Sequence, residues 1–125
     1  SLDGLPWDFG DPAVDRSAWD VIDVPGCWQM QGFGTPRFAA PGAIGATVDG
    51  GAAWASADNS AAAYVREFTL PESWDGREVF LRFESVQSAF YVWINGEQAG
   101  YSEGAGLPAE FRVTPFLTAG VNTVA

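Results

Sequence analysis

Histidine is absent from the 125 residues, which removes serine and cysteine triads that rely on an imidazole base, and zinc sites built on His ligands. Lysine is absent too. All six cations are Arg, set against sixteen Asp and Glu, for a formal net charge of −10. Such a field repels phosphate backbones and anionic headgroups, so neither nucleic acid nor a membrane surface is an expected partner. Neutral ligands such as sugars, or a basic patch on another domain, meet no such barrier. A single cysteine, Cys27, excludes an internal disulfide, and its place between Gly26 and Trp28 predicts packing rather than reactive chemistry. No apolar run approaches the ~18 to 20 residues of a membrane span, and Ser1-Leu2-Asp3-Gly4 lacks the basic and apolar regions of a secretory signal. A soluble, cytoplasmic chain is expected.

What the sequence does hold is apolar and aromatic: 47% hydrophobic residues, six Trp and nine Phe, too much for a disordered polypeptide. Its length suits a single domain over 1–125. Gly4, Pro6, Gly10 and Pro12 break the opening stretch into a loop anchored by Trp7 and Phe9. Trp19 to Val24 alternates and reads as a short strand ended by Pro25-Gly26. From 39 to 63 Ala and Gly dominate without a period, and Pro41, Gly42, Gly45, Gly50 and Gly51 argue against a long helix. An extended, mobile loop is expected there.

The last sixty or so residues carry the clearest strand signals. Tyr64 to Leu70 is closed by Pro71, and Glu78 to Val86 sets Val79, Leu81 and Phe83 against Glu78, Phe80, Arg82 and Glu84. Ser88 to Ile94 runs into Asn95-Gly96, a strong hairpin signal because both central residues of a type I′ turn need positive φ. A two-residue loop predicts Ile94 opposite Glu97, Val92 opposite Ala99 and Phe90 opposite Tyr101. Those positions other than Glu97 then share a core face, with Tyr91 and Trp93 on the other side. Phe111 to Phe116 and Asn122 to Ala125 read as further strands, with a turn at Thr118-Ala119-Gly120. The class predicted is all-β, an antiparallel sandwich.

Paired carboxylates can cleave glycosides without histidine, so Glu67, Glu78, Glu84, Glu97, Glu103 and Glu110 are the candidates for an acid and a nucleophile. Most occupy polar strand or turn positions, where a solvated charge is expected. Asp3, Asp8, Asp11 and Asp15 match no EF-hand spacing and read as a solvated loop, and the Gly-x-Gly patterns at Gly32 and Gly104 lack strand–turn–helix context. No metal or cofactor is therefore expected. A flat ring can stack on the C–H face of a pyranose. Trp28, Phe38 and Trp54, in loop-like segments, are the carbohydrate-binding candidates.

Several segments resemble a known family. Val24-Pro25-Gly26-Cys27-Trp28-Gln29-Met30-Gln31-Gly32-Phe33-Gly34-Thr35-Pro36 closely resembles the "VPsNWQmqGYgtP" signature near the start of family 2 glycoside hydrolases of the β-galactosidase type. Tyr64 to Pro71, Val86 to Gly96, Gly100-Tyr101-Ser102 and Pro108-Ala109-Glu110-Phe111 resemble consecutive strands and turns of that family's sugar-binding jelly-roll, in the same order. The resemblance implies a galactose-binding-like jelly-roll that packs against a (β/α)8 barrel, where two glutamates absent from this sequence hydrolyse terminal β-D-galactosides. The chain itself then has no catalytic residue.

Three departures are visible. The family's "P-x-Y-T-N" stretch reads Pro36-Arg37-Phe38-Ala39-Ala40, which puts Ala40 where relatives place an Asn at the edge of the pocket. The family's "EFD" reads Glu110-Phe111-Arg112, a charge reversal. Relatives also continue beyond the Asn122-Thr123-Val124-Ala125 strand, which implies a sandwich incomplete at the C-terminus. The partners expected are a catalytic barrel domain or complementary chain, a galactoside, and a second copy joined through exposed strand edges. The alternatives are a free-standing carbohydrate-binding module and an inactive, self-associating fragment.

Overall fold

The computed structural model describes residues 8, 10–34 and 61–125. The Ala/Gly-rich loop expectation, Trp7, Phe9, Phe38, Ala40 and Trp54 lie largely or wholly outside these residues. Chain contacts divide the molecule into two compact units, Ser1–Leu2 with Asp15–Ala61, and Asp3–Val14 with Ala62–Ala125.

In the first unit, a 3-10 turn spans Trp28–Gln31 and ends at Gly32, whose φ of 95° lies in the left-handed region that glycine tolerates. The strand expected from Trp19 to Val24 does not form. The alternation is there, but no strand pairs with it among the described residues, and Val21 is 95% exposed. The Gln31 side chain takes the place of a ladder: its Oε1 accepts from Asp23 N–H (2.9 Å) and its Nε2 donates to Asp23 C=O (3.0 Å). Both backbone groups of Asp23 are thereby satisfied without a sheet.

Among the described residues, all six strands belong to the second unit: β1 Arg66–Thr69, β2 Phe80–Phe83, β3 Ala89–Ile94, β4 Glu97–Glu103, β5 Ala109–Arg112 and β6 Val121–Val124. They form a four-stranded sheet ordered β1-β6-β3-β4 and a two-stranded sheet β2-β5, antiparallel throughout. The described fold is thus all-β with antiparallel sheets, and its only helical pieces are short 3-10 turns. β5 is shorter than the strand predicted from Phe111 to Phe116. Val113 turns to φ −106°, ψ −7°, and a 3-10 turn follows over Thr114–Phe116, where Pro115 has no N–H to give a ladder.

The core lies between the two sheets. Val92 and Ile94 of β3 are fully buried, with Val79 and Val113, and Leu81, Phe83, Phe90 and Phe111 pack on them. Phe83, Phe90 and Phe111 form an aromatic triad across the gap, with centroids 4.8 to 6.1 Å apart and tilted or edge-on rings. Of the alternating sets read in the sequence, Val79, Leu81 and Phe83 face the core, while Phe80 on the other face is exposed.

The hairpin corrects one assignment. Asn95 and Gly96 have φ of 52° and 85°, as a type I′ turn needs, and Ile94 faces Glu97 as expected. Between Val92 and Trp93 the register then shifts: Val92 faces Gly100, Tyr91 faces Tyr101 and Phe90 faces Ser102. Ala99 is the extra residue of a bulge, and every side chain beyond it on β4 changes face. Tyr101, predicted to join the core, stacks on Tyr91 outside it at a centroid distance of 4.7 Å. Gly100 takes the inward position, and the Phe111 ring fills the space where a Cβ would stand.

Candidate functional site

The pattern-based candidates do not converge. Phe38 and Trp54 lie outside the described residues. Trp28 is half-buried in its 3-10 turn. Cys27, expected to pack, is exposed; its Sγ lies 2.9 Å from Gln29 Oε1, the one polar partner it has among the described residues.

Three of the six candidate glutamates are engaged by neighbours. Glu78 forms a bidentate pair with Arg112, through Nε to Oε2 and Nη2 to Oε1 (2.8 Å), and Thr114 Oγ1 lies 3.2 Å from Oε2. The Arg112 guanidinium, by hydrogen bond and charge, holds the Glu78 carboxyl below its ordinary value against an opposing desolvation, and Thr114 adds a lesser hydrogen bond. Arg112, the charge reversal noted in the sequence, thus finds its counter-ion one strand away. Glu84 pairs with Arg82 (2.8 Å), and Glu103 accepts from the Tyr101 hydroxyl (2.8 Å), which raises the tyrosine's pKa. In the N-terminal loop, Asp11 and Asp15 accept from backbone N–H groups two residues on. No group of three or more metal-ligating side chains occurs among the described residues.

The concave site of the second unit was not singled out by sequence. Pro71 ends β1, and a 3-10 turn over Glu72–Trp74 continues into Asp75 and Gly76, the latter at φ 70°. Backbone bonds from Trp74 to Pro71 (2.9 Å), Asp75 to Glu72 (3.1 Å) and Arg77 to Trp74 (3.0 Å) fix this wall. The facing wall is the loop from Leu117 to Gly120. Between them lies an open cleft of about 460 Å³, with Val79 and Leu70 among its apolar lining. Trp74 is 46% exposed, and Glu72, Asp75 and Arg77 also line it.

The facing wall is positioned by a buried polar network. Asn122, with no exposed surface, accepts from Thr118 N–H (2.8 Å) and donates to the carbonyls of Thr118 (2.9 Å) and Gly120 (3.2 Å). Asn95 donates to Asn122 Oδ1 (2.8 Å) and to Phe116 C=O (2.8 Å), and its own Oδ1 accepts from Thr123 N–H (2.8 Å). One hairpin residue therefore supplies both the turn geometry and the clamp on the loop. A second aromatic surface, Tyr91 with Trp93 and Tyr101, lies on the outer face of the four-stranded sheet. Gly10 packs against Trp93 at one end of it.

The described residues thus form an all-β scaffold of antiparallel sheets that carries an open, partly apolar cleft. The profile "Glycosyl hydrolases family 2, sugar binding domain" matches residues 3–125, and the chain belongs to that family. Among curated relatives, it is 40% identical over 128 residues to a β-galactosidase of Priestia megaterium, covering 100% of this chain and 12% of that protein. A β-galactosidase of Halalkalibacterium halodurans is 35% identical over 94% of this chain and 12% of its own length. Among solved structures, Bifidobacterium dentium β-glucuronidase complexed with coumarin-3-O-glucuronide shares 39% identity over 49% of this chain and 10% of its own, with a TM-score of 0.47. The chain thus spans about an eighth of the length of the curated relatives it matches. Among the described residues, no helix is long and apolar enough to cross a membrane.

Proposed function

We propose that residues 1–125 act as one jelly-roll-like domain that buttresses the catalytic barrel of a β-galactosidase-type enzyme, whose reaction is the hydrolysis of terminal β-D-galactosides. A galactoside is then its natural small-molecule partner. The observation that carries this reading is the family match across 3–125 together with relatives that are β-galactosidases many times longer. Phe80, Leu107 and Val121 stand exposed around the sheets, apolar surface suited to a partner domain, or to a second copy where the barrel is missing. A cytoplasmic setting fits the one free thiol.

The test uses the purified chain. It should not hydrolyse a chromogenic galactoside, should bind a hydrophobic dye, and should associate with itself in light scattering at increasing concentration. Turnover of the substrate would overturn the non-catalytic role. A dye-silent monomer at all concentrations would overturn the buttress.

A further inference from the structure

We propose that the cleft walled by Trp74 is a saccharide site, and that it takes a neutral pyranoside rather than a uronic acid. This rests on the reading of the chain as a sugar-binding domain and locates the ligand within it. A volume of about 460 Å³ lies within the roughly 300 to 1,000 Å³ span of small-molecule sites. The exposed indole of Trp74 offers a flat apolar face to the C–H groups of a sugar ring, and Val79 supplies a buried apolar floor. Glu72, Asp75 and Arg77 line the same cleft, none with a side-chain partner among the described residues. Carboxylates accept from adjacent hydroxyls, and a guanidinium donates to hydroxyl and ring oxygens.

The charge count at the rim sets the selectivity. Two carboxylates face one guanidinium within a chain of net charge −10, so a ligand carboxylate would add repulsion, while an uncharged hydroxyl array would not. Both walls are held before any ligand arrives, one by the turn at Glu72–Trp74 and the other by Asn122. Little ordering cost therefore remains for binding.

The experiment is an amide and indole NMR titration of the chain with methyl β-D-galactoside, lactose and glucuronate, repeated on W74A, R77A and Y91A. Galactoside should shift the Trp74 indole N–H together with the Arg77 and Val79 amides, and glucuronate should bind at least about tenfold more weakly. W74A should lose about tenfold or more in affinity with its remaining spectrum intact, while Y91A, on the outer sheet face, should bind as the parent does. If W74A unfolds, R77A provides the same test with the indole in place. Shifts centred on Tyr91 and Tyr101, or on Trp28, would overturn the cleft and leave sugar binding standing. No shift with any sugar up to high millimolar concentration would overturn both. Equal response to glucuronate would overturn the selectivity.

Discussion

The side-chain amide of Asn95 donates to Oδ1 of Asn122 over 2.8 Å, joining the β3–β4 turn to β6 through two residues 27 positions apart. Asn122→Ala removes the acceptor for Asn95 and Thr118 N–H and the donor to two carbonyls. Each buried group left unpaired costs ~1–3 kcal/mol, so a loss of about 3 kcal/mol is expected. A lowered urea midpoint at unchanged slope would register it. Asn95→Gly keeps the left-handed backbone but loses the side-chain bonds. Combined with Asn122→Ala, it should cost less than the sum of the two; strict additivity would contradict the network.

Gly100 is held to its size by Phe111. Gly100→Ala should cost ~1–3 kcal/mol through overpacking, and Phe111→Leu in the same chain should recover part of the loss. A G100A protein as stable as the parent would show that the ring does not lie where the fold puts it.

The bulge at Ala99 can be tested by comparing two truncations. Ile94→Ala, from a fully buried position, should cost ~2–5 kcal/mol. Tyr101→Ala, on the outer face at 44% exposure, should cost well under half of that. Chemical denaturation of the two side by side decides the register, since the unbulged pairing would place both in the core.

Glu78 gives the fold an acid-sensitive contact. Arg112 lowers its folded pKa, so the stabilisation is fully present above the unfolded carboxyl value of about 4.3 and is lost as pH falls through the lower folded value. Thermal melts of the parent and E78Q should differ most at neutral pH and converge toward pH 3. A constant gap down to that pH would mean that the difference comes from something other than the ion pair.

Local chemistry made the hairpin turn and the alternation leading into β2 legible: Asn95-Gly96 needs positive φ, and Val79, Leu81 and Phe83 alternate strictly, although which set faces the core appears only in the fold. Trp19 to Val24 misled because alternation describes a face, not a partner, and no strand pairs with it among the described residues. The bulge was hidden because Ala99 and Tyr101 keep the apolar spacing that an unbroken ladder would show. The Trp74 cleft was not legible because its walls lie more than forty positions apart in the chain and meet only after β1 and β6 pair. Asn122 carried no signal as a strand residue; its worth appears once Thr118, Gly120 and Asn95 surround it.

The extra residue in β4 makes inside and outside a matter of parity. Beyond it, Gly100 and Ser102 look toward the opposite sheet and Tyr101 looks away, so gaining or losing one amino acid between Glu97 and Gly100 would drive a phenol into a space shaped for a hydrogen atom. Length changes in this stretch can be absorbed only in pairs, and homologous chains of this family are expected to differ here by substitution or by even steps.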